Sequence, residues 1–77
     1  SHHIRVYPSV TRSGNTITIS SNEPVSNCKL TSAYGYNVFC TKIQQLNETT
    51  LTIPPVESGV YFLTVNDKYV QKLVVCN

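Results

Sequence analysis

The chain has 77 residues and a formal net charge of +2 at pH 7, from six basic and four acidic residues. A chain of this length forms one small domain, which buries only about 60% of the surface of its unfolded state. The basic residues are spread along the chain, whereas nucleic-acid-binding proteins cluster them on one face. No apolar run approaches the roughly 18 residues of a membrane-spanning helix, and no signal-peptide pattern is present. The sequence therefore predicts neither nucleic-acid binding nor membrane insertion.

The first three residues, Ser1-His2-His3, are interpreted as the remnant of a tag. A single domain is therefore predicted over residues 4–77. On this interpretation the chain is a piece of a longer protein, whose preceding part lies outside the sequence.

The rest of the chain shows the pattern of a β protein. No segment has apolar residues at i, i+3, i+4 and i+7, the spacing of an amphipathic helix. Instead, short stretches with alternating apolar residues recur at intervals of about 8–12 residues. These stretches predict strands at residues 4–7, 16–20, 28–31, 36–41, 50–53, 59–65 and 69–75.

Turn-forming residues separate the predicted strands. Gly14 and Gly35 mark two turns, and Asn66-Asp67 marks a third, because these residue types tolerate positive φ. Residues 44–49 are polar and predict a loop. Pro54-Pro55 ends the strand before it, since proline has no N–H to donate to a ladder.

Without helices to connect parallel strands, the sheets are expected to be largely antiparallel. The predicted fold is all-β: an antiparallel two-sheet sandwich of immunoglobulin-like type with about seven short strands. Residues 59–65 are apolar on both faces, which predicts a central strand covered on both sides. Alternation within the strands predicts the core residues Ile17, Ile19, Leu30, Val38, Leu51, Ile53, Tyr61, Leu63, Val65, Leu73 and Val75.

Catalytic and metal-binding patterns are absent from the sequence. His2 and His3 belong to the predicted tag, and without another histidine neither Cys–His nor Ser–His–Asp catalysis has its base. No Cys-x-x-Cys or His-x-x-x-His spacing supports a zinc site. The four acidic residues lie in predicted loops and turns, where carboxylates are usually just solvated. The sequence therefore predicts no enzyme activity, no catalytic residue, no metal and no cofactor.

Two of the three cysteines are placed symmetrically about a predicted turn. Cys28 and Cys40 each lie six residues from Tyr34, so a hairpin symmetric about Tyr34 would set them opposite each other. A disulfide needs Cβ atoms about 3.5–4.5 Å apart, which only a close, non-hydrogen-bonded pair provides. A one-residue bulge would break this register. The alternative is that both are small buried hydrophobic residues and that Cys76 is a free surface thiol.

The tyrosines allow a different functional class. Tyr34, Tyr36, Tyr61 and Tyr69 would suit the aromatic platform of an adhesion or carbohydrate-binding module attached to a secreted enzyme. The competing interpretation, which we favour, is that they cap a small core and keep their hydroxyls at the surface.

Three stretches, in order, resemble the C-terminal sorting domain of the type IX secretion system of Bacteroidetes. They begin with Val6-Tyr7-Pro8-Ser9 and residues 14–19, continue with residues 30–38, and end with residues 51–54, 58–65 and 71–75. The resemblance covers essentially residues 4–77. The sequence departs from the family pattern at Ser9 and Val10, where the family has Asn and Pro, and at Cys76-Asn77, which follow the last valines.

The resemblance implies a folded address that directs a larger cargo protein through the outer membrane, after transit through the periplasm, to the cell surface. The implied partners are the translocon and a cell-surface sortase. Whether the domain is cleaved or retained stays open, as does a homodimer. The family motifs that carry recognition correspond to Gly59, Val60, Tyr61, Lys72, Leu73, Val74 and Val75.

The closing residues 72–75 are expected to hold the sorting information. A final strand at a sheet edge offers free backbone groups to a receptor strand, the mode called β-augmentation. The competing interpretation is that Leu73 and Val75 are simply core, so that their removal only unfolds the domain.

Overall fold

The structure, a computed structural model, describes residues 3–45 and 47–77, and of residues 41–45 it describes the backbone. The assignment of residues 1–3 to a tag stays a prediction. The strands along the chain are β1 Ile4–Tyr7, β2 Val10–Thr11, β3 Thr16–Ser21, β4 Val25–Ser32, β5 Asn37–Gln45, β6 Glu48–Thr52, β7 Gly59–Val65 and β8 Tyr69–Val75.

The strands form the two sheets of a sandwich. The three-stranded sheet has the order β1-β3-β6, and the five-stranded sheet has the order β2-β8-β7-β4-β5. Every pair is antiparallel except β2 and β8, which run parallel over two residues. Between β1 and β2 the chain changes sheets at Pro8. The all-β, largely antiparallel sandwich is therefore confirmed.

The core between the sheets follows the predicted alternation. Nine of the eleven predicted core residues are buried, and the other two, Val38 and Leu51, pack against them from partly buried positions. Val25 and Cys28 are also buried, although strict alternation would not place both on one face. The pairing of β4 with β5 is irregular between Val25 and Asn27, where the alternation of β4 is broken.

The structure differs from the sequence prediction in one added strand and in the greater length of β4, β5 and β6. The eighth strand, β2, has only two residues and is too short to show alternation. The predicted loop at 44–49 is wrong in part, because β5 continues to Gln45 and β6 begins at Glu48; Leu46 lies outside the described residues. Glu48 pairs with Ser20 of β3, so backbone pairing keeps this polar segment in the sheet.

The β4–β5 hairpin contains a bulge. Thr31 lies opposite Asn37, as symmetry about Tyr34 requires, but Leu30 lies opposite Phe39. The extra residue on β5 is Val38, and it shifts the pairing of Leu30 to Asn27 by one position.

The bulge removes the register on which the possible disulfide between Cys28 and Cys40 depends. Cys28 lies opposite Thr41, and Cys40 lies opposite Lys29. A shift of one residue turns a side chain to the other face of a sheet. Accordingly Cys28 is buried, Cys40 is exposed, and both are free thiols, as is the exposed Cys76.

The turn between β7 and β8 is held by Asn66. Asn66 and Asp67 have φ of 55° and 59°, as their residue types predict. Asn66 Oδ1 accepts hydrogen bonds from the N–H and the hydroxyl of Ser26, at 2.8 and 2.9 Å. Asn66 Nδ2 donates to the carbonyl of Pro24 at 3.0 Å and to Glu23 Oε1 at 3.2 Å. One side chain thus fixes where β8 begins relative to the start of β4.

Candidate recognition surface on β7 and β8

The seven residues that the family motifs select lie on β7 and β8, which are neighbours in the five-stranded sheet. Side chains along a strand alternate between its two faces, and burial in both strands follows this alternation. Three of the seven point into the core: Tyr61, Leu73 and Val75. Three face solvent, namely Val60, Lys72 and Val74, and Gly59 is exposed at the start of β7 on the same face as Tyr61.

The strand register makes the outward residues neighbours. Val60 lies opposite Val74, and Phe62 lies opposite Lys72. Val10 of β2 flanks Val74 on its other side. Opposed side chains have Cβ atoms about 4.5–5.5 Å apart. These residues form one contiguous area, called the outer patch below, which consists of Val10, Val60, Phe62, Val70, Lys72 and Val74.

The outer patch is mostly apolar although it faces solvent. Val10 is 60% exposed and Val70 is 57% exposed, while Val60, Phe62 and Val74 are half-buried. The expectation that β7 is covered on both faces is therefore wrong for the described residues, because the domain has only two layers. Apolar side chains that gather in one exposed area often mark an interaction site, whereas single ones need no explanation.

Lys72 supplies the charge of the outer patch. It is exposed, and within the described residues no acidic side chain forms an ion pair with it. A lysine can lay its aliphatic stem along apolar neighbours and keep its ammonium group in water. The patch therefore suits a partner that combines an apolar surface with an acidic group.

The residues after β8 are tied to the sandwich by Asn77. Its Oδ1 accepts the Ser13 N–H at 2.8 Å, its Nδ2 donates to the carbonyl of Val56 at 2.8 Å, and its N–H donates to Ser58 Oγ at 3.0 Å. Ser13 Oγ also donates to the carbonyl of Val56, at 2.9 Å. The segment that follows β8 is thus held in place beside the outer patch by polar contacts.

The tyrosines do not form a common platform. Tyr34 and Tyr36 are 90% and 73% exposed at the β4–β5 turn. Tyr61 is buried and donates its hydroxyl to the carbonyl of Glu57 at 2.7 Å. Tyr69 lies at the other end of the sheet, where β8 begins. Tyr34 and Tyr36 instead border a groove of about 690 Å³, which Val38, Val56 and Val60 also line.

Other kinds of site have little support in the described residues. Among them, no group of three metal-ligating side chains comes together. No helix in the same part of the chain is long and apolar enough to cross a membrane. Burial, and to a lesser extent the charge of Cys40, raises the pKa of the Cys28 thiol from its usual 9.0 to about 11. Cys28 is therefore a protonated core residue at neutral pH and a poor nucleophile.

The fold and the site define a small two-layer β-sandwich domain with an apolar outer patch. Residues 5–76 match the family described as the secretion system C-terminal sorting domain. The chain belongs to this family, the C-terminal sorting domains of the type IX secretion system, so the resemblance is confirmed. Membership assigns the chain a sorting role in secretion toward the cell surface or the extracellular space, as part of a larger cargo protein. A comparison with curated proteins found no match.

The sequence does not indicate four residues of this region as candidates for recognition. Val10 lies in a two-residue strand, which is too short to show alternation. Phe62 and Val70 lie within longer predicted strands, where nothing in the sequence sets them apart from their neighbours. Asn77 acts through contacts with residues up to 64 positions away, which no local pattern reveals.

Proposed function

We propose that this domain is the folded address of a cargo protein, read at the outer patch and at residues 76–77, which follow β8. Its partners are the translocon and cell-surface sortase components of the type IX system. The observation that carries the proposal is that Val60, Lys72 and Val74, selected by family motif alone, meet on one solvent-facing surface. The cargo passes through the periplasm before this address takes it across the outer membrane.

Because side chains alternate between the two faces of β7 and β8, these two strands can both stabilise the core and present a surface to a receptor. Inward residues such as Leu73 and Val75 hold the sandwich together, and outward residues such as Lys72 and Val74 remain available to a receptor. The address can therefore be read while the domain stays folded. The domain contributes binding, and any covalent attachment of the cargo is the chemistry of the sortase.

The test is export of a reporter fused to residues 4–77 in a host with this secretion system. The intact tail is compared with a tail that ends at Val75 and with Lys72→Ala. Circular dichroism of the purified domains shows which variants remain folded. We expect the intact tail to bring the reporter to the surface and the folded variants to export less. Failure of the intact tail would refute the sorting role, and full export by both folded variants would refute recognition at these residues.

A second candidate function, carbohydrate binding, rests on the groove beside Tyr34 and Tyr36. Exposed tyrosine rings can stack on sugars, and these two rings are the most exposed aromatic side chains described. Titration of the labelled domain with soluble oligosaccharides tests it. Changes in NMR chemical shift confined to residues 32–38 and 55–60 would support sugar binding. No change at the highest sugar concentration would exclude it.

A further inference from the structure

Strand β8 is open to solvent along its first half. β2 accompanies it only at Val74 and Val75. There the Val74 N–H donates to the carbonyl of Ser9, and the Cys76 N–H donates to the carbonyl of Thr11, both at 2.8 Å. Backbone groups along a strand alternate in direction, so those of residues 70 and 72 point to the same side as those of Val74. Nothing from β2 reaches them.

The open backbone groups can be counted. Within the described residues, the N–H and C=O of Val70 and the N–H of Lys72 have no hydrogen-bond partner. The Lys72 carbonyl accepts the side-chain amide of Gln71 at 2.9 Å, a contact that an incoming N–H can replace. A row of such groups at a sheet edge is a template for one more strand. Only an extended polypeptide supplies donors and acceptors at the matching spacing.

A cavity lies beside this open edge. It measures about 330 Å³, and its walls include Ile4 from one sheet and Tyr69 from the other. The chain leaves this side open because it changes sheets at Pro8 before β2 begins. A strand that continued the line of β2 along β8 would send every second side chain inward. One apolar side chain would enter the cavity, as Thr11 of β2 is buried at 8% exposure.

The surroundings of the cavity are basic. Arg5 and Lys68 line it, and Lys72 follows on the open edge. Lys68 pairs with Glu23 at 3.2 Å, and the Arg5 guanidinium lies 5.8 Å from the centre of the Tyr7 ring. Pairing two copies of the domain through this edge would bring like charges together, which costs free energy. An acidic strand is therefore a better match than a second copy.

We propose that β8 accepts a short extended segment of a partner protein as an added strand along Val70 and Lys72. The segment carries an apolar side chain for the cavity between Ile4 and Tyr69, and acidic side chains on either side of it. This inference rests on the proposed function, since it places the segment in the secretion machinery that reads the neighbouring outer patch. The sequence predicts that a receptor strand pairs with the backbone of residues 72–75, whereas this inference places the pairing in the first half of β8.

The direct test is amide hydrogen exchange of the labelled domain, measured by NMR with and without a probe peptide. The probe is a blocked octapeptide of alternating threonine and valine with a glutamate near each end. We expect exchange at Val70 and Lys72 to slow by roughly tenfold or more on adding millimolar peptide. The same peptide with lysine for glutamate is expected to bind at least about tenfold more weakly. No slowing at either amide would overturn the proposal, as would slowing that needs no peptide and rises with protein concentration.

Two proline variants test the backbone contact. Val70→Pro removes an outward N–H that takes no part in the β7 ladder, and an edge strand tolerates such a proline. Thr50→Pro is the matched control, because Thr50 is exposed on the edge strand β6, outside the outer patch, and its N–H also points away from the neighbouring strand. Val70→Pro should abolish binding and Thr50→Pro should preserve it. Equal binding by two folded variants would overturn the proposal, and if Val70→Pro does not fold, the exchange experiment on the unaltered chain decides.

Lys72→Ala separates recognition from a second role of edge lysines, which is to prevent unwanted strand pairing. Our proposal predicts that Lys72→Ala weakens binding of the acidic peptide, whereas an edge-blocking lysine predicts stronger binding. In the reporter assay, Val70→Pro should export less than Thr50→Pro. If the intact tail exports and the two variants export equally, the added strand is refuted and the sorting role stands. If the intact tail does not export, the sorting role fails and the peptide experiment still decides whether β8 accepts a strand.

Discussion

The outer faces of the two sheets have the same geometry and opposite chemistry. The three-stranded sheet presents mainly hydroxyl side chains to solvent, namely Thr16, Thr18, Ser20, Thr50 and Thr52. The five-stranded sheet presents valines and a phenylalanine at the outer patch. Threonine and valine have nearly the same branched shape and both favour strands. The branched shape of both residue types therefore favours a β-sheet on either side of the sandwich. The hydroxyl groups of threonine keep one outer face hydrated, whereas the methyl groups of valine make the other suited to a partner.

The largest expected effect comes from the inner side of the strands that carry the outer patch. Leu73 is fully buried, so Leu73→Ala should lower the free energy of unfolding by about 2–5 kcal/mol. A small domain has little stability to lose, and export should fail because the domain unfolds. Urea denaturation measures the loss. Val74→Thr, one residue on and facing outward, is the control and should change stability by less than about 0.5 kcal/mol; equal losses would contradict the division into inner and outer faces.

The next effect concerns the turn that sets β8 beside β7. Asn66→Ala removes the hydrogen bonds to Ser26 and Pro24 and places a less suitable residue at φ 55°. We expect a loss of about 1–3 kcal/mol in thermal or urea unfolding. Asn66→Gly loses the same hydrogen bonds but adopts positive φ freely, so its loss should be smaller. If glycine proved the more damaging residue, backbone conformation would have no part in the role of Asn66.

A smaller effect depends on pH and separates the buried cysteine from the exposed ones. The pKa of Cys28 is raised to about 11 in the folded state, against a usual value of 9.0 that applies when unfolded. Between these pH values the unfolded chain releases a proton that the folded chain retains. The contribution of Cys28 to stability is therefore complete below about pH 9 and is lost as the pH rises toward 11.

Unfolding free energies measured from pH 8 to 11 should therefore fall less steeply in Cys28→Ala than in the unaltered chain. Identical slopes would show that Cys28 does not titrate as its burial requires. In native alkylation at pH 8, Cys40 and Cys76 should react and Cys28 should stay protected. Mass spectrometry under non-reducing conditions should find three free thiols, whereas a Cys28–Cys40 bridge would contradict the register of the β4–β5 hairpin.

The smallest effect on stability is expected at the two outer faces themselves. Lys72→Ala on the five-stranded sheet and Thr50→Ala on the three-stranded sheet are both exposed, and each should change the unfolding free energy by no more than about 0.5 kcal/mol. The two variants should differ only in export, where Lys72→Ala alone is impaired. A loss of stability well above this limit in Lys72→Ala would mean that Lys72 supports the fold.

Much of the fold could be predicted from the sequence, because a strand with one buried face repeats its pattern every second residue. Ile17 and Ile19, or Leu63 and Val65, reveal their inward face without any knowledge of their partners. The extra residue at Val38 could not be predicted, since a bulge depends on how two strands meet, and this residue removes the register that a Cys28–Cys40 disulfide would need.

The sequence could predict which residues belong to the candidate site, but not how they are arranged in space. The family motifs select Val60 and Val74, but their meeting on one face depends on the register of β7 against β8. The open half of β8 depends on a two-residue strand that carries no sequence signal. Such surfaces arise from pairings between distant segments, and local periodicity does not encode them.

The most direct test changes one cross-strand pair of side chains on each of the two outer faces. Val60 and Val74 are cross-strand partners on the outer patch, and Thr18 and Thr50 are cross-strand partners on the other sheet. The measurement is the fraction of reporter that reaches the cell surface when fused to the intact tail, to Val60→Thr/Val74→Thr, or to Thr18→Ser/Thr50→Ser, all verified as folded. The account predicts that the valine double variant exports poorly and that the hydroxyl-face variant exports like the intact tail. Full export by the folded valine variant, or equal loss in both, would contradict the claim that the outer patch is the surface that is read.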